Sequence, residues 1–381
     1  MAKDMETLRK EINQLDDQLA AIFAQRMQAA LAIAAYKKEN NLPVLDRGRE
    51  REILSRVTAQ CEEGLAVYTK MLFTTLFDLS RSYQQRYLAA DTPLTNHIAQ
   101  AIAQTPPLFP KKAVVACQGV EGAYSQQACD KLFPLADILY FNHFENVFQA
   151  IDKGLCHYGI LPIENSSYGS VAEVYDLMKK YSFSIVRSTR LQIDHRLLAK
   201  PGVGLGEIRE IFSHEQALGQ CSNFLKGLPQ VKISVCENTA KAAEMVRDSA
   251  RRDIAAISSP SCAELYDLAV VQERVQNDDN NYTRFICISK NLEIYPGADR
   301  MSLMLNLPHR PGALYGMIAK FSALGLNLTK IESRPIPGTD FEFLFYFDLD
   351  ASIYAEEAIK LLSELDAGPG SFVFLGSYRE V

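Results

Sequence analysis

Apolar residues recur at steps of three and four along residues 4–39, which is the spacing of one face of an α-helix. The face comprises Met5, Leu8, Ile12, Leu15, Leu19 and Ile22. A helix of this length runs about 54 Å at ~1.5 Å per residue, so it needs a partner along its length. Two further helical patterns, over residues 44–60 and 66–90, do not close a core with it alone. We therefore predict an all-α first domain, residues 1–92, that is completed in an intertwined dimer.

The pattern changes after a proline-rich stretch at residues 104–110, which belongs to a predicted linker over residues 93–111. From there to residue 290, short β-rich runs alternate with helical patterns; the runs include AVVAC, YGILPI, VKISV, DIAAIS and RFICIS. This alternation is typical of an α/β domain on a largely parallel sheet. We predict such a domain for residues 112–290.

Residues 300–381 follow a break near residues 291–300 and show a different order of elements. Four strand patterns enclose two helical ones, PGALYGMIAKFSALG and AEEAIKLLSEL. The order βαββαβ is that of the ferredoxin-like unit, so we predict a third domain of the α+β class.

Composition and charge narrow the classes of function. The chain has 381 residues and a formal net charge of −6, and it contains no long run of lysine or arginine, so nucleic acid and anionic membranes are poor candidates for partners. No apolar stretch approaches the ~20 residues of a membrane span, and the N-terminal segment lacks an apolar signal core. The eight cysteines are scattered without a CxxC pair, so neither a metal knuckle nor a disulfide framework is supported. We expect a cytoplasmic protein with reduced thiols and without a metal or other cofactor.

Cations interrupt the apolar face of the first helix. The three-four stepping continues to Arg26, where a buried cation is costly unless an anion meets it. Lys37 lies within ~20° of that face and ~16 Å along the axis, so the two side chains can converge on one small anion. Arg9 lies about 100° away in azimuth and ~25 Å along the axis. It cannot share that anion within one straight helix, but it can do so from an antiparallel partner chain.

Polar groups also share one face on each of the next two helices. Asp46, Arg49 and Glu50 fall at positions i, i+3 and i+4, and Ser80 and Gln84 lie four residues apart. Taken singly, each set is what a solvated helix surface shows. Their combination with the cations of the first helix indicates a polar site between the helices.

These residues resemble the all-helical class of chorismate mutase, in the pattern LR…QR…YK…D-RGRE…S…Q. The resemblance implies that Arg26, Lys37 and Arg9 of the partner subunit hold the carboxylates and the ether oxygen of chorismate. The positions that match groups binding the hydroxyl, the ether oxygen and the remaining carboxylate are Asp46, Glu50, Ser80 and Gln84, with Arg49 as a supporting arginine.

The rearrangement of chorismate to prephenate is unimolecular, so it needs neither a nucleophile nor a cofactor. Catalysis comes from holding a compact conformer and from stabilising charge on the breaking ether bond, which suits fixed cations and an amide donor. Glu50 helps only if it is protonated beside the ether oxygen or faces a hydroxyl. The sequence leaves both roles open.

Four strand-to-helix junctions in the second domain place Gly, Ser, Asn or Gln where free backbone N–H groups point outward. They lie at residues 114–128, 159–175, 211–221 and 255–266. Such junctions bind anions, although any one of them alone is better explained by ordinary helix capping. His157 and His214 fit no nucleophile-histidine order, so we expect both to be structural.

The motifs GVEGAYS, LPIENSSYGSV, SHEQALGQC and NYTRF resemble prephenate dehydratase over residues 112–290. The resemblance implies two α/β lobes around a cleft, as in periplasmic binding proteins, and an essential threonine, Thr283. The other matching positions are Glu164, Asn165, Ser166, Ser213 and Gln220, and Arg284 follows Thr283 as either a carboxylate partner or a structural cation. Glu215, where the family more often has proline, and Arg196 depart from the family pattern. Prephenate becomes aromatic when it loses CO₂ and a hydroxyl, so the site must anchor two carboxylates and protonate the departing oxygen, from Thr283 or from Glu164.

The third domain carries PGALYG at residues 311–316 and ESRP at residues 332–335, and it resembles an ACT domain of the dehydratase type. The resemblance implies that L-phenylalanine binds between these motifs across a pair of domains, where Gly312 permits close backbone approach. The implied effector residues are Gly312, Ala313, Leu314, Glu332, Ser333, Arg334 and Pro335. The alternative is a purely structural ferredoxin-like domain.

Together the resemblances predict one chain in the order mutase, dehydratase and regulatory domain. It would convert chorismate to prephenate and prephenate to phenylpyruvate, under inhibition by L-phenylalanine, as a homodimer or a tetramer built from it. A sensor without catalysis and a dehydratase with a single activity are the alternatives. Complete motifs, with Thr283, Arg26 and Lys37 in place, argue against both.

Overall fold

The computed structural model describes residues 4–40, 42–88, 92–336, 343–368 and 371–381. Its first unit consists of three helices, α1 (Met5–Glu39), α2 (Arg47–Ala59) and α3 (Ala66–Leu88). The Asp4 carboxylate caps α1 by accepting the backbone N–H of Thr7. Both α1 and α2 pack on α3, and Ala30 and Ala34 are buried on the face of α1. Their small side chains let helices approach closely.

The N-terminal half of α1 is not covered by the described part of the chain. Its six apolar stripe residues are between 41% and 65% exposed; they are Met5, Leu8, Ile12, Leu15, Leu19 and Ile22. A contiguous exposed apolar surface of this kind marks an interaction site. By length and composition alone, α1 is also long and apolar enough to cross a membrane, since it contains an 18-residue window with a mean hydropathy of 1.3.

Residues 93–111, predicted as a linker, contain a fourth helix, α4 (Pro93–Gln104). Thr92 and Thr95 form a reciprocal capping box at its start. Ile98 and Ala101 are buried in the core of the third unit. Pro93 is compatible with this helix, because a backbone N–H in the first helical turn has no partner within the helix and its absence from proline costs nothing.

The α/β region folds into two lobes, and the chain enters the first lobe after α4. The elements of that first passage are β1 (Val114–Gln118), α5 (Tyr124–Leu132), β2 (Asp137–Phe141), α6 (Phe144–Asp152), β3 (Tyr158–Asn165), β4 (Gly169–Ser170), α7 (Ala172–Tyr181) and β5 (Ser184–Gln192). The chain then crosses into the second lobe.

The second lobe holds a five-stranded sheet with helices packed on it. Its elements are β6 (Arg196–Ala199), β7 (Glu210–Ser213), α8 (Glu215–Gln220), α9 (Ser222–Lys226), β8 (Lys232–Val235), α10 (Thr239–Asp248), β9 (Ile254–Ser258), α11 (Pro260–Leu265) and β10 (Ala269–Gln272). The strand order is β10-β6-β9-β7-β8. The chain then returns to the first lobe as β11 (Tyr282–Ser289).

The prediction of a largely parallel sheet is wrong, because both lobes contain mixed sheets. In the first lobe the order is β2-β1-β3-β11-β5, with β4 beside β3. Strand β1 runs parallel to β2 and β3, whereas β11 runs antiparallel to β3 and β5. The direction of β11 is set by its return from the second lobe, which brings it into the sheet from the opposite end.

The third unit has the predicted βαββαβ order. Its elements are β12 (Arg300–Asn306), α12 (Ala313–Ala323), β13 (Asn327–Pro335), β14 (Phe343–Asp350), α13 (Glu356–Asp366) and β15 (Phe372–Tyr378). The strand order is β13-β14-β12-β15, and each neighbouring pair is antiparallel. This is the ferredoxin-like arrangement.

The third unit packs closely on the first lobe, along β5. A side chain at Gly376 would come within 2.3 Å of the carbonyl oxygen of Ile185, so only glycine allows the two strands to approach this far. The hydroxyl of Tyr346 donates to the carbonyl of Tyr175 at 2.7 Å, and Tyr346 lies in the core of the first lobe. The two units therefore share a packed interface rather than a flexible connection.

Candidate functional sites

The two predicted cations of α1 lie on the face that packs against α3. Residues 26, 30, 34 and 37 follow one another at helical spacing, and the two alanines between the cations are buried. The guanidinium carbon of Arg26 lies 5.8 Å from the centre of the Phe77 ring on α3. Partial burial lowers the pKa of Arg26 from its ordinary value. The Lys37 ammonium donates to the carbonyl of Val44 at 2.6 Å, where the chain turns toward α2.

Ser80 and Gln84 form the buried polar face of α3. Both are less than 9% exposed, and the Gln84 amide nitrogen lies 3.3 Å from the Ser80 hydroxyl. The carbonyl oxygen of Gln84 is buried and has no hydrogen-bond partner among the described residues. An unpaired buried polar atom costs about 1–3 kcal/mol, so it calls for an explanation, such as a ligand, a water or an ion that completes the bonding.

The polar residues of α2 divide into two groups. Asp46 caps the helix by accepting the N–H of Arg49 at 3.0 Å, and Arg49 pairs with Glu52 at 2.7 Å on the exposed side. Glu50 is only partly exposed and forms an ion pair with Arg81 of α3. The structure therefore brings Glu50 to the contact between α2 and α3, and it places Arg49 on the outer surface.

Arg81 is a residue of this region that the sequence analysis missed. A signal was available, because Arg81 is adjacent to Ser80 and lies one turn before Gln84, on a helix whose other polar residues already indicate a site. Arg9, which the sequence assigned to the site of a partner subunit, is exposed on the uncovered half of α1.

In the α/β region, Thr283 and Asn165 face each other across paired strands. Thr283 is the second residue of β11, Asn165 closes β3, and the two are directly opposite in the ladder. The Asn165 amide nitrogen donates to the Thr283 hydroxyl oxygen at 2.9 Å. The Asn165 carbonyl accepts the backbone N–H groups of Ser167 and Tyr168, both at 3.0 Å. These bonds fix the amide orientation and leave the Thr283 proton available for donation.

Ser166 stabilises the loop beside this pair. Its hydroxyl donates to the carbonyl of Asn280 at 3.1 Å and accepts the N–H of Tyr282 at 2.9 Å. Ser166 therefore connects the segment after β3 to the segment before β11.

Glu164 and Arg284, the neighbours of the Asn165–Thr283 pair, are bound to the third unit. The Arg284 guanidinium is 5% exposed, lies 3.1 Å from Glu164 and also pairs with Asp348 of β14. Burial alone would lower the pKa of Arg284, but the charges of Asp348 and Glu164 outweigh it and raise that pKa. Lys330 of β13 pairs with the second oxygen of Glu164. Arg284 thus acts as a structural cation here.

The predicted residues of the second lobe differ in exposure. Ser213 is fully buried and donates to the carbonyl of Ile257 at 2.7 Å, so its hydroxyl joins β7 to β9 within the sheet of that lobe. Gln220 ends α8, and its carbonyl oxygen lies 2.7 Å from Nε2 of His195. A carbonyl oxygen can only accept, so His195 is the donor, and the Gln220 amide N–H₂ takes no part in this bond. Burial lowers the pKa of His195, which favours this neutral donor form.

His195 was not predicted from the sequence, although it lies where the chain crosses between the lobes. His214, expected to be structural, caps α8 through Nδ1. The unusual Arg196 pairs with Asp194 at 3.1 Å and with Glu273 at 3.4 Å. Its charge is therefore balanced locally.

The predicted effector residues lie on two elements of the third unit. Gly312 precedes α12 with a φ of 83° and is exposed. A Cβ atom placed on Gly312 would have no atom within 4 Å among the described residues. Ala313 and Leu314 form the first turn of α12. On β13, Ser333 and Pro335 are exposed.

Glu332 and Arg334 of the same strand face the first lobe of their own chain. Glu332 accepts the Ser170 hydroxyl at 2.6 Å, and Arg334 binds both oxygens of Asp176 at 2.7 and 3.2 Å. Among the described residues, no cluster of His, Cys, Asp and Glu is placed to hold a metal ion.

Comparison with known proteins identifies both catalytic units. Residues 8–85 match the model of the family chorismate mutase type II, and residues 115–293 match that of prephenate dehydratase. The bifunctional chorismate mutase/prephenate dehydratase of Escherichia coli K12 is 31% identical over 380 residues, which are 97% of this chain and 95% of the relative. Arogenate dehydratase/prephenate dehydratase 2 of Arabidopsis thaliana is 34% identical over 78% of this chain and 81% of its own length.

A solved structure resembles a large part of the chain. The prephenate dehydratase of Arthrobacter aurescens in complex with L-Phe is 28% identical, covers 70% of this chain and 89% of its own, and superposes with a TM-score of 0.63. Because two catalytic families match in tandem and one bifunctional relative spans nearly the whole chain, this protein belongs to the family of bifunctional chorismate mutase/prephenate dehydratases.

Proposed function

We propose that chorismate binds between α1, α2 and α3, where Arg26 and Lys37 hold its charged groups. The observation that carries this proposal is the buried carbonyl of Gln84, which has no partner in the described part of the chain. The Ser80 hydroxyl can donate as well as accept, so half a turn of the Gln84 amide keeps the bond to Ser80 and presents N–H₂ at the same place. That N–H₂ donates to the ether oxygen as the C–O bond breaks, while Glu50 accepts from the substrate hydroxyl.

The mutase site is completed in a homodimer. The uncovered apolar stripe of α1 supports this, because a second copy of α1 packed along it removes the exposed surface. An antiparallel partner helix also brings Arg9 of the partner subunit to the carboxylates of chorismate. Packing of α1 in such a dimer accounts for its apolar character, and we propose a cytoplasmic protein.

In the dehydratase unit, Thr283 protonates the departing hydroxyl of prephenate. The bond from Asn165 supports this assignment, because it leaves the threonine proton as the remaining donor. Glu164 is the weaker candidate, since both of its oxygens are already paired with cations of its own chain, Arg284 and Lys330. The Gln220 amide anchors the substrate from the other lobe, and loss of CO₂ with aromatisation drives the reaction.

The third unit, residues 300–381, is an ACT domain that binds L-phenylalanine and inhibits the dehydratase. The relative of known structure was solved with L-Phe, which supports the choice of ligand. The faces at Gly312, Ala313 and Leu314 and at Ser333 and Pro335 are at least partly exposed, and a second ACT domain can pack on them. The ion pairs from β13 and β14 to Glu164 and Arg284 provide a direct connection from this domain to the strand that carries Thr283.

Incubation of the purified chain with chorismate tests the two activities together. We expect prephenate to form first and phenylpyruvate to follow, detected by its absorbance, with less phenylpyruvate when L-phenylalanine is added. Consumption of chorismate without phenylpyruvate would refute the dehydratase assignment, and no consumption of chorismate would refute the mutase assignment.

A further inference from the structure

Arg81 connects α3 to α2 within the mutase unit. One terminal nitrogen of its guanidinium pairs with Glu50 on α2, and the other pairs with Asp78, one turn earlier on α3. The Arg81 side chain is 17% exposed and the Glu50 side chain 23%. Water and salt therefore screen this pair less than a pair on the open surface.

The two carboxylates hold the guanidinium in one orientation. A planar guanidinium whose two ends are both bound cannot rotate without breaking an ion pair. Asp78 is itself 3.7 Å from the guanidinium of Arg310, in the third unit. Asp78 therefore contacts two arginines, Arg81 of the mutase unit and Arg310 of the third unit.

The position of Arg81 relates it to the residues that face the substrate. It lies three residues before Gln84, so the two are neighbours on the surface of α3, and it directly follows Ser80 in the sequence. By reaching Glu50, Arg81 fixes the spacing between the carboxylate of α2 and the amide of α3. A site that accelerates a unimolecular rearrangement depends on such fixed spacing.

The pair also favours one of the two roles that the sequence leaves open for Glu50. A guanidinium beside a carboxylate favours its ionised form, and that form can only accept hydrogen bonds. Glu50 in this state accepts from a hydroxyl, but it has no proton to give to the ether oxygen. The ether oxygen is then left to donors such as Gln84.

We propose that Arg81 is a positioning residue of the mutase site, which holds Glu50 as an ionised acceptor for the hydroxyl of chorismate. The proposal rests on the proposed function of Glu50. Arg81 itself does not touch the reacting atoms.

A double-mutant cycle with Arg81→Met and Glu50→Gln tests the proposal in the full chain. Arg81→Met keeps the length and packing of the side chain but removes its charge. We expect kcat/KM of the mutase to fall by about tenfold to a hundredfold, the scale of one charge-assisted hydrogen bond. In the Glu50→Gln background the same substitution is expected to cost less than about threefold, since Arg81 acts through Glu50.

Three further variants separate positioning from folding. Arg56→Met, at an exposed arginine of α2, is the matched control and should leave kcat/KM unchanged. Arg81→Lys retains a cation but cannot pair with both carboxylates at once, so we expect partial rescue. Asp78→Asn removes the ion pair between Asp78 and Arg81, so it should lower kcat/KM of the mutase less than Arg81→Met does. The helical signal in circular dichroism checks that the helical unit of each variant is folded, and dehydratase turnover of supplied prephenate checks the rest of the chain.

The outcomes are distinct. The proposal would be overturned if Arg81→Met lowered kcat/KM of the mutase equally in both backgrounds. It would also be overturned if Arg81→Met left kcat/KM unchanged in the wild-type background while Glu50→Gln lowered it. If Glu50→Gln itself leaves the mutase intact, the proposed role of Glu50 fails and the inference fails with it. If Arg81→Met unfolds the helical unit, Arg81→Lys decides, because full activity in that variant contradicts a need for the two-sided ion pair.

Discussion

A single hydrogen bond sets the direction in which the Thr283 hydroxyl can act. Asn165 donates to the threonine oxygen, and the carbonyl of Asn165 is held by two backbone N–H groups, so the amide does not turn round. The threonine is a weak acid in water, but a proton directed at a held leaving group is an effective donor. The proposed proton transfer from Thr283 therefore depends on which atom of Asn165 faces Thr283.

Asn165→Asp tests that dependence. An aspartate keeps the two bonds to the backbone N–H groups but cannot donate to Thr283, so the threonine is expected to donate to the aspartate instead of to the substrate. We expect kcat of the dehydratase to fall by about 10²–10³-fold, the scale of one oriented donor. Asn280→Asp, which places the same charge nearby on an exposed residue, is the control and should change kcat little. Equal effects of the two variants would contradict the account.

At the scale of elements, sequence patterns locate most helices and strands, but they do not show which elements pack or pair with one another. The βαββαβ order of the third unit and the three helices of the first follow from apolar spacing, since each depends on contacts that are close in sequence. The insertion of β11 between β3 and β5 does not, because it pairs strands from opposite ends of the domain. For the same reason, the motifs point to Asn165 and Thr283 but not to Arg81 and its pair with Glu50.

The third unit offers a prediction at this scale. Gly312 has a φ of 83°, which valine adopts only with strain, and a side chain there would project toward the proposed effector. In Gly312→Val we expect weaker binding of L-phenylalanine by calorimetry and weaker inhibition, with nearly normal dehydratase activity when L-phenylalanine is absent.

Gly325→Val is the matched control for that experiment. Gly325 follows α12 with a φ of 68°, and a Cβ atom on it would likewise have no atom within 4 Å in the described ranges of the chain. The backbone strain is therefore similar, but the site lies at the other end of the helix. Loss of inhibition in both variants would indicate strain in the domain instead of a blocked effector site.

At the scale of the whole molecule, one unit connects to both catalytic units. The third unit pairs with Glu164 and Arg284 beside Thr283, and its Arg310 lies near Asp78 on α3 of the mutase unit. The uncovered stripe of α1 is the surface on which we propose that a second copy packs. A ligand changes such an assembly only to the extent that it binds one arrangement better than another.

Leu15→Glu tests the role of the stripe. A charge buried in a helix pair is costly, so the dimer should dissociate in sedimentation experiments and the mutase should lose Arg9 of the partner subunit. Gln14→Glu introduces the same charge away from the stripe and should leave both properties unchanged. An intact mutase in a monomeric Leu15→Glu protein would contradict the shared site.

The central claim is that one chain performs two reactions at two separate sites, and the most direct test is to assay both reactions in Arg26→Ala and Thr283→Val. In Arg26→Ala, mutase activity should fall by about 10²–10³-fold, while supplied prephenate is still converted to phenylpyruvate. Thr283→Val should consume chorismate and accumulate prephenate. Loss of both reactions in either folded variant, or phenylpyruvate formed by Thr283→Val at the normal rate, would contradict the account.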